Sequence, residues 1–337
     1  MALELVVPYG HLRAAPLHPL PELMSRLGGN LQPLLSALRL PGEWLENPDH
    51  LLPILTVGEL LARAADQVKC EHLGLLLGNR SSVAQIGAVG QIMLLMPTVG
   101  KALEVLQRRL DLHDHAAVVT LRRQGAQLAL GYSLFDGSFP GVQYIHDAAI
   151  SIGLNIMRAL CGPAWKPQQI SFAHRPPANP KVYESFFDAP CQFDSLCTEM
   201  LFPAEQLDAP LYASCPPSSE HGNQRITAPR DWAERVRSAT YMQLLSGNCS
   251  QQLIAHGLGV SVRTLNRRLA AEGASYVEHL DRARFAISRM LLKETDMSIK
   301  AVSQLLNYSD AASFNRAFRR WTGHTPLGWR QAHQARS

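Results

Sequence analysis

The chain has 337 residues, 46% hydrophobic and 18% charged, with 32 Lys and Arg against 28 Asp and Glu for a net +4. That length favours two domains, and the apolar content excludes a disordered chain. The longest apolar stretch, residues 86–100, is fifteen residues with Gln91 and Pro97 inside it, too short for a membrane span, and residues 1–10 lack the basic and apolar segments of a secretory signal.

The front of the chain reads as helices. Leu23, Leu27, Leu31, Leu34, Leu35 and Leu38 recur at helical spacing over residues 20–40, interrupted at Gly28-Gly29-Asn30. Thr56 and Glu59 have capping-box spacing and predict a helix start, with Leu60, Leu61, Ala64, Ala65 and Val68 following. Residues 82–96, small and apolar, predict one packed helix. Residues 98–113 predict another, with Leu103, Leu106 and Leu110 inward. The period then changes from 3.6 to 2. Residues 117–123 and 127–134 flank Gln124-Gly125, and Leu128, Leu130, Tyr132 and Leu134 alternate strictly, which predicts a hairpin. Residues 142–160 return to helix, with Tyr144, Ala148, Ile152 and Ile156 at every fourth position; this long apolar helix is expected to be available for pairing with a second copy. Strands at 169–174, 192–193 and 199–202 and a short helix at 183–187 complete an α+β domain, helices first and a modest sheet later. Residues 213–229, dominated by Pro, Ser, Gly, Asn and Glu without apolar period, read as a linker.

Catalytic patterns are weak in this front half. His113-Asp114-His115 suggests a metal motif, but at a helix end before a strand it reads as a solvated turn. His146-Asp147 and His174-Arg175 read as isolated polar residues beside apolar stretches. There is no GxSxG, P-loop or HExxH, and Gly87, Gly90 and Gly100 form no phosphate fingerprint. The six cysteines show no CxxC spacing, so neither a zinc knuckle nor a disulfide framework is indicated. No catalytic residue, metal or cofactor is expected.

The rear reads differently. From Ala239 onward thirteen basic residues face six acidic ones, a net +7; the remainder has nineteen against twenty-two, a net −3. A basic domain beside a mildly acidic one is the electrostatic pattern of a protein that meets phosphate with one domain. Asp231 is placed to cap a helix over 232–245. Ser250 caps a short helix with Leu253, Ile254 and Ala255, Gly257-Leu258-Gly259 turn, and Ser261 caps a helix over 262–271. There Leu265 and Leu269 point inward by i, i+4 arithmetic, while Arg263, Asn266, Arg267 and Ala270 share the opposite face. Residues 276–293 form an unbroken helix of roughly 27 Å at 1.5 Å per residue. Ser298 caps the next, with Ile299, Val302, Leu305 and Leu306 as its stripe. Asn307-Tyr308-Ser309-Asp310 breaks it. The last of the set turns Phe314, Ala317, Phe318 and Trp321 inward and Asn315, Arg316 and Arg319 outward, ending at Gly323 and Pro326. Two helix-turn-helix units joined by a long helix are therefore expected, spaced about one DNA turn apart, roughly 34 Å.

GVSVRTLNRRL, RFAISRMLL and LNYSDAASFNRAFRRWTGHTPLGWR, within about residues 231–333, resemble the DNA-binding domain of the AraC/XylS transcription regulators. Asn307-Tyr308 stands where that family usually has Gly-Phe, and Ser288 where it usually has Ala. Ala311 and Ala312 occupy positions often polar in base-reading relatives. The front half is similar to the so-called arabinose-binding type N-terminal domain of some family members, through GLLLG at 74–78, PTVGKALEVLQRRL at 97–110 and the run from Ile170 to Leu211. It does not resemble a cupin barrel, which needs about eight regularly spaced strands, and no sugar ligand is inferred.

The resemblance implies an effector-binding and dimerisation domain at 1–212, a linker at 213–229 and a double helix-turn-helix domain at 230–337. Val262, Arg263, Asn266 and Arg267 of the first recognition helix and Ala311, Ala312, Asn315 and Arg316 of the second are the candidate base-facing residues; Arg suits guanine and Asn adenine in the major groove. Ser261, Arg268, Arg319 and Arg320 are candidates for phosphate. The expected partners are double-stranded operator DNA, a second copy of the chain, RNA polymerase if the protein activates, and a small-molecule effector whose residues the sequence does not identify. A bacterial, cytoplasmic regulator follows, not an enzyme. Two alternatives stand beside it: a regulator whose front domain binds a partner protein, and a DNA-repair alkyltransferase with an AraC-like segment. The second needs a reactive Cys in a Pro-Cys-His run, to which Pro190-Cys191-Gln192 is the nearest approach.

Overall fold

The computed structural model describes residues 10–40, 42–45, 47–212, 232–245 and 249–334. The chain divides into two compact units, one of residues 1–134 and 139–217, the other of 135–138 and 218–337. The predicted linker at 213–229 and the Asp231 cap lie outside the described residues.

The first unit opens with β1 (His11–Arg13), α1 (Leu20–Arg26), α2 (Gln32–Ala37), β2 (Leu51–Pro53), α3 (Ile54–Val68), α4 (Leu73–Gly78), α5 (Ala88–Leu94) and α6 (Val99–Arg109). The hairpin β3 (Ala117–Gln124) and β4 (Gln127–Leu134), the long α7 (Val142–Cys161), then β5 (Gln169–Ser171), α8 (Lys181–Phe187), β6 (Cys191–Gln192) and β7 (Thr198–Pro203) complete it. The sheet runs β3-β4-β7-β5-β6, antiparallel except for the β5–β6 pair. Helices first and a modest sheet later is the α+β arrangement the periodicities imply. The hairpin pairs Gln124 with Gln127, and Gly125 takes the positive φ that so tight a turn requires.

Three expectations for this unit fail, each because a distant segment overrides a local signal. Thr56 does not cap. Its helix starts two residues earlier at Ile54, after the extended Pro53, and the Ile54 N–H donates to the Gly10 carbonyl instead. Residues 82–96 are not one helix: a 3-10 turn, Val83–Ile86, is closed by a Ser82/Gln85 capping box, and Gly87 at φ +65° breaks the chain before α5. A Cβ on Gly87 would lie 1.6 Å from the Arg13 guanidinium, so that close approach needs glycine. Finally, α7 is not free to pair with a second copy. None of its residues is exposed, and Ile145, Ile150, Leu154, Met157 and Leu160 belong to the core.

What covers α7 is chiefly α4. Gly74 and Gly78, one turn apart, let the backbones meet: a Cβ on either would sit 2.3 Å from the carbonyl oxygens of Tyr144 and Ala148. Ser151 Oγ donates to Leu75 O at 3.0 Å, and Asn155 Nδ2 donates to Ser81 O at 2.8 Å and Asn79 O at 3.1 Å, tying α7 to α4 and to the turn that follows it. GLLLG is thus a helix-crossing device.

The second unit is all helix: α9 (Trp232–Leu245), α10 (Gln251–Gly257), α11 (Val262–Ala271), α12 (Tyr276–Glu294), α13 (Ile299–Leu305), α14 (Ala311–Thr322) and α15 (Pro326–Gln334). Ser250, Ser261, Ser275, Ser298 and Asp310 each cap the helix that follows, accepting from the backbone N–H three residues on. Nearly every boundary in this unit was therefore written locally.

Candidate nucleic-acid interface

In the first helix-turn-helix, Leu265 and Leu269 are fully buried against Ile254, Ala255, Trp232 and Val236. That anchoring forces the other face of α11 outward. Arg263, Asn266 and Arg267 are exposed, with Val262 half-buried at the start of the helix. Ser261 Oγ accepts from Thr264 N at 3.2 Å, and Gly259 turns at φ +69°. Gln251 Nε2 donates to Asn266 Oδ1 at 2.6 Å, tying α10 to the outer face of α11. Arg268 is exposed and lies over the Trp232 ring at 4.4 Å. Glu272, just past α11, accepts from the N–H groups of Trp232 and Ala233 at 3.2 and 2.8 Å and so satisfies the start of α9.

The connecting helix α12 begins with a reciprocal Ser275/Glu278 capping box. Its Arg284 closes the second unit: Nε donates to Leu306 O at 2.9 Å, Nη2 to Asn307 O at 3.0 Å, and the guanidinium lies 4.4 Å over Tyr308. Asn307 sits in the left-handed region at φ +57°, which Asn tolerates better than most side chains. Asp310 caps α14 through Ser313 N at 2.7 Å, and this bond holds its carboxyl below the usual range. Phe314 and Phe318 are fully buried, and the Phe318 ring meets Phe285, Phe314, Trp321 and Trp329 at centroid distances of 5.7–6.4 Å.

The inner face of α14 corrects one expectation. Trp321 and Ile299 are only half-buried, and Trp329 of α15 supplies the buried indole instead. Position 321 is at the last turn of α14, where the helix leaves the core. The outer face holds Ala312, Asn315, Arg316, Arg319 and Arg320, all exposed, with Ala311 half-buried. Arg316 Nη2 donates to Ser313 Oγ at 3.0 Å, and Arg320 Nη2 donates to Asp281 Oδ2 at 2.6 Å. Gln251, Glu272, Arg284 and Arg330, whose Nη2 donates to Met297 O at 2.5 Å, were not singled out from the sequence. Each partner lies 15 to 40 positions away, so no local motif marks them.

The front unit's polar residues are not where the sequence put them. His113, Asp114 and His115 form no solvated turn; all three are buried. Their backbone pairs with β1: Arg13 N donates to His113 O at 2.9 Å and His115 N to His11 O at 2.9 Å. Asp114 accepts from Tyr132 Oη at 2.6 Å and Ala116 N at 2.8 Å. Nor are Asp147 and His174 isolated. Asp147 accepts from Tyr183 Oη at 2.7 Å and faces His174 Nε2 at 3.0 Å, making a buried polar network. His113 and His146 are each pushed down to about 3 by burial, aided by the charges of Arg13 and His174 respectively. Cys191 is half-buried and its thiol is raised to about 12 by burial, with Glu184 and Asp147 adding to it, the opposite of the electropositive setting an alkyltransferase cysteine needs. Among the described residues no group of three or more His, Cys, Asp and Glu could hold a metal, and no helix is long and apolar enough to cross a membrane.

Two capped helices, each on its own helix-turn-helix and each turning arginine and asparagine to solvent, define a DNA-binding helix-turn-helix protein. Residues 28–211 match the arabinose-binding domain of AraC transcription regulator, N-term, and residues 254–332 match a helix-turn-helix domain. The chain belongs to the AraC family of transcription regulators. It is 25% identical to the HTH-type transcriptional regulator VirS of Mycobacterium tuberculosis, covering 95% of this chain and 96% of that one. It is 27% identical to the ornithine utilization regulator of Pseudomonas aeruginosa, covering 92% and 94%. Among solved structures, the transcriptional regulator CdpR from Pseudomonas aeruginosa aligns over 92% of this chain and 98% of its own, at 24% identity and a TM-score of 0.41. These relatives are regulators, not enzymes.

Proposed function

We propose that the protein is a cytoplasmic one-component regulator that reads two successive major grooves of operator DNA, pairs through its front unit, and is set by a small-molecule effector held there. The observation that carries the DNA reading is the repeated design of α11 and α14, exposed Arg/Asn faces anchored by buried Leu265 and Leu269 in one and Phe314 and Phe318 in the other. The nineteen residues of α12 span about 28 Å, a connector on the scale of one DNA turn. Arg263, Asn266 and Arg267 face bases in the first groove; Asn315 and Arg316, with the small Ala311 and Ala312 allowing close approach, face the second. Arg319 meets phosphate directly, with Ser261 at the start of α11. Arg268 and Arg320 serve phosphate at the cost of loosening their holds on Trp232 and Asp281.

Support for an effector comes from a small apolar cavity inside the front unit. Support for pairing is more general: Leu27, Leu55 and Leu95 stand 37, 55 and 59% exposed there, while α7 is covered. RNA polymerase is the further partner where the protein activates.

The test is footprinting of DNA selected from a random library with the full chain. The reading expects two protected windows about one turn apart. Removing Arg263 and Arg267 together erases one window, and removing Asn315 and Arg316 erases the other. A single window, or both lost together with either pair, overturns two-groove reading. Sedimentation of residues 1–212 against 230–337 tests pairing; a monomeric front fragment with a dimeric rear one refutes it.

A further inference from the structure

Between α7 and strands β3, β4 and β7 the front unit holds a cavity of about 100 Å³, bordered by α3 and α6. Leu61, Leu106, Val119, Leu130, Ile156 and Met200 form its wall. Gly153 of α7 faces this space. A Cβ built there would meet one neighbouring atom, the terminal methyl of Met200 at 3.0 Å, whereas a Cβ on Gly74 or Gly78 would strike backbone at 2.3 Å. The space cannot close by α7 settling onto the sheet. Ser151 and Asn155 lie two residues either side of Gly153, which at about 100° per residue puts them on the opposite face of the helix. There they hold α7 to α4 and the turn after it, through Leu75 O at 3.0 Å and Ser81 O at 2.8 Å.

An unfilled apolar space is destabilising in proportion to its volume, and a molecule that fills it regains the missing contacts. In volume this one is on the scale of the roughly 150 Å³ apolar cavity that stays dry and accepts benzene, so it has room for one ring. Among the described residues the polar side chains on its wall are His113, Asp114 and Tyr132, and no Lys or Arg reaches it. Asp114 and Tyr132 are engaged with each other at 2.6 Å, and Asp114 takes a second bond from Ala116 N. The Nδ1 of His113 is buried and does not open into the space. A carboxylate would therefore be desolvated beside Asp114 without a counter-ion, and a sugar or an amino acid would leave polar groups facing leucine and isoleucine.

Resting on the effector reading above, we propose that this cavity is a binding site for a small uncharged hydrocarbon, a single aromatic or alicyclic ring held by apolar contact alone. The class excludes carboxylates, amino acids and sugars. Gly153 sets the room for the ring, and the clamp of α7 on α4 keeps that room open. An occupant bridges α7 to the sheet across the space that otherwise separates them.

The test uses the full chain and calorimetric titration with benzene, benzoate, L-lysine and L-arabinose. Benzene is expected to bind, with the other three silent. In Gly153→Ala benzene should bind about tenfold more weakly or worse, the worth of one misplaced methyl group in an apolar pocket. In Gly153→Leu, which fills the space, binding should be lost. Alanine is favoured over glycine inside a helix, so the first variant is expected to fold; should the second fail to fold, the first decides alone. Wild-type affinity for benzene in Gly153→Ala, binding of benzoate, L-lysine or L-arabinose in its place, or no binding of benzene at all, overturns the site. The affinity for the selected DNA, measured with and without each compound, reads the effector role separately. Bound benzene that leaves DNA affinity unchanged supports the site and sinks the effector reading. A DNA response to benzoate, L-lysine or L-arabinose alone sinks the site and keeps that reading.

Discussion

The two units are stabilised in different ways. The front unit has one continuous core running from Leu12 to Leu211, into which helices, a five-stranded sheet and several polar side chains are drawn. The rear unit has small cores under each helix-turn-helix. One is built on Trp232, Val236, Ile254, Ala255, Leu265 and Leu269, and the other gathers rings around Phe318. A large core can bury His113, Asp114, Asp147 and His174 because the surrounding apolar contacts offset the cost of desolvating them. A thin core has no such margin, so the rear unit keeps most of its charge at the surface, where DNA phosphates and bases can reach it. The front unit draws polar side chains inside its core, and the rear unit presents its arginines outside.

The largest test of this contrast is Phe318→Ala. The ring is fully buried, and its loss should cost about 3–5 kcal/mol, comparable with the whole stability of a domain of this size. Separate melts of the two fragments should show the rear unit unfolded near room temperature and DNA binding gone. A variant that melts like wild type yet fails to bind DNA would mean that Phe318 is a contact residue.

The front unit should carry its own signature, in acid. The folded values of His113 and His146 lie near 3, below the 6.5 of the free side chain. Their stabilising effect is complete above pH 6.5, where both are neutral folded or unfolded. It is lost as pH falls toward 3, because only the unfolded chain takes up the protons. Each histidine costs up to about 1.4 kcal/mol per pH unit in that window. Asp114, whose carboxyl is raised chiefly by burial, acts in the opposite sense and recovers part of the loss. Melting of residues 1–212 between pH 7 and 5 should show the fall, and His113→Leu with His146→Leu should flatten it. A slope unchanged in that double variant would locate the acid sensitivity elsewhere.

Surface chemistry should give smaller and cleaner effects. Arg267→Ala should cost about 1–3 kcal/mol on the selected DNA site and relax base preference there, with little change on random DNA. Equal losses on both would reduce Arg267 to a phosphate contact. Smallest is Gln251→Ala, which frees Asn266 from its partner at 2.6 Å. It should weaken specific binding by about 0.5–1.5 kcal/mol without altering the melt; no change in affinity would mean that the pair does not position Asn266 for DNA.

The sequence by itself determined the rear unit almost completely. Its helix starts are set by Ser250, Ser261, Ser275, Ser298 and Asp310, its turns by Gly259, Asn307 and Gly323, and its facing by Leu265/Leu269 and Phe314/Phe318. Caps, turns and helical periodicity act over three or four residues, so they can be read where they are written. The residues that close that unit could not be found this way, because Arg284 and Glu272 act on backbone 22 and 40 positions distant. In the front unit the distant contacts decide nearly everything of interest. Gly10 and Pro53 move a helix start away from Thr56, Arg13 claims the space at Gly87, and β1 draws His113-Asp114-His115 inward. Asp147 finds His174 and Tyr183 across 27 and 36 residues. Whether a polar side chain is solvated or buried depends on which other segments cover it. That is a property of the packed chain, and neighbouring residues do not encode it.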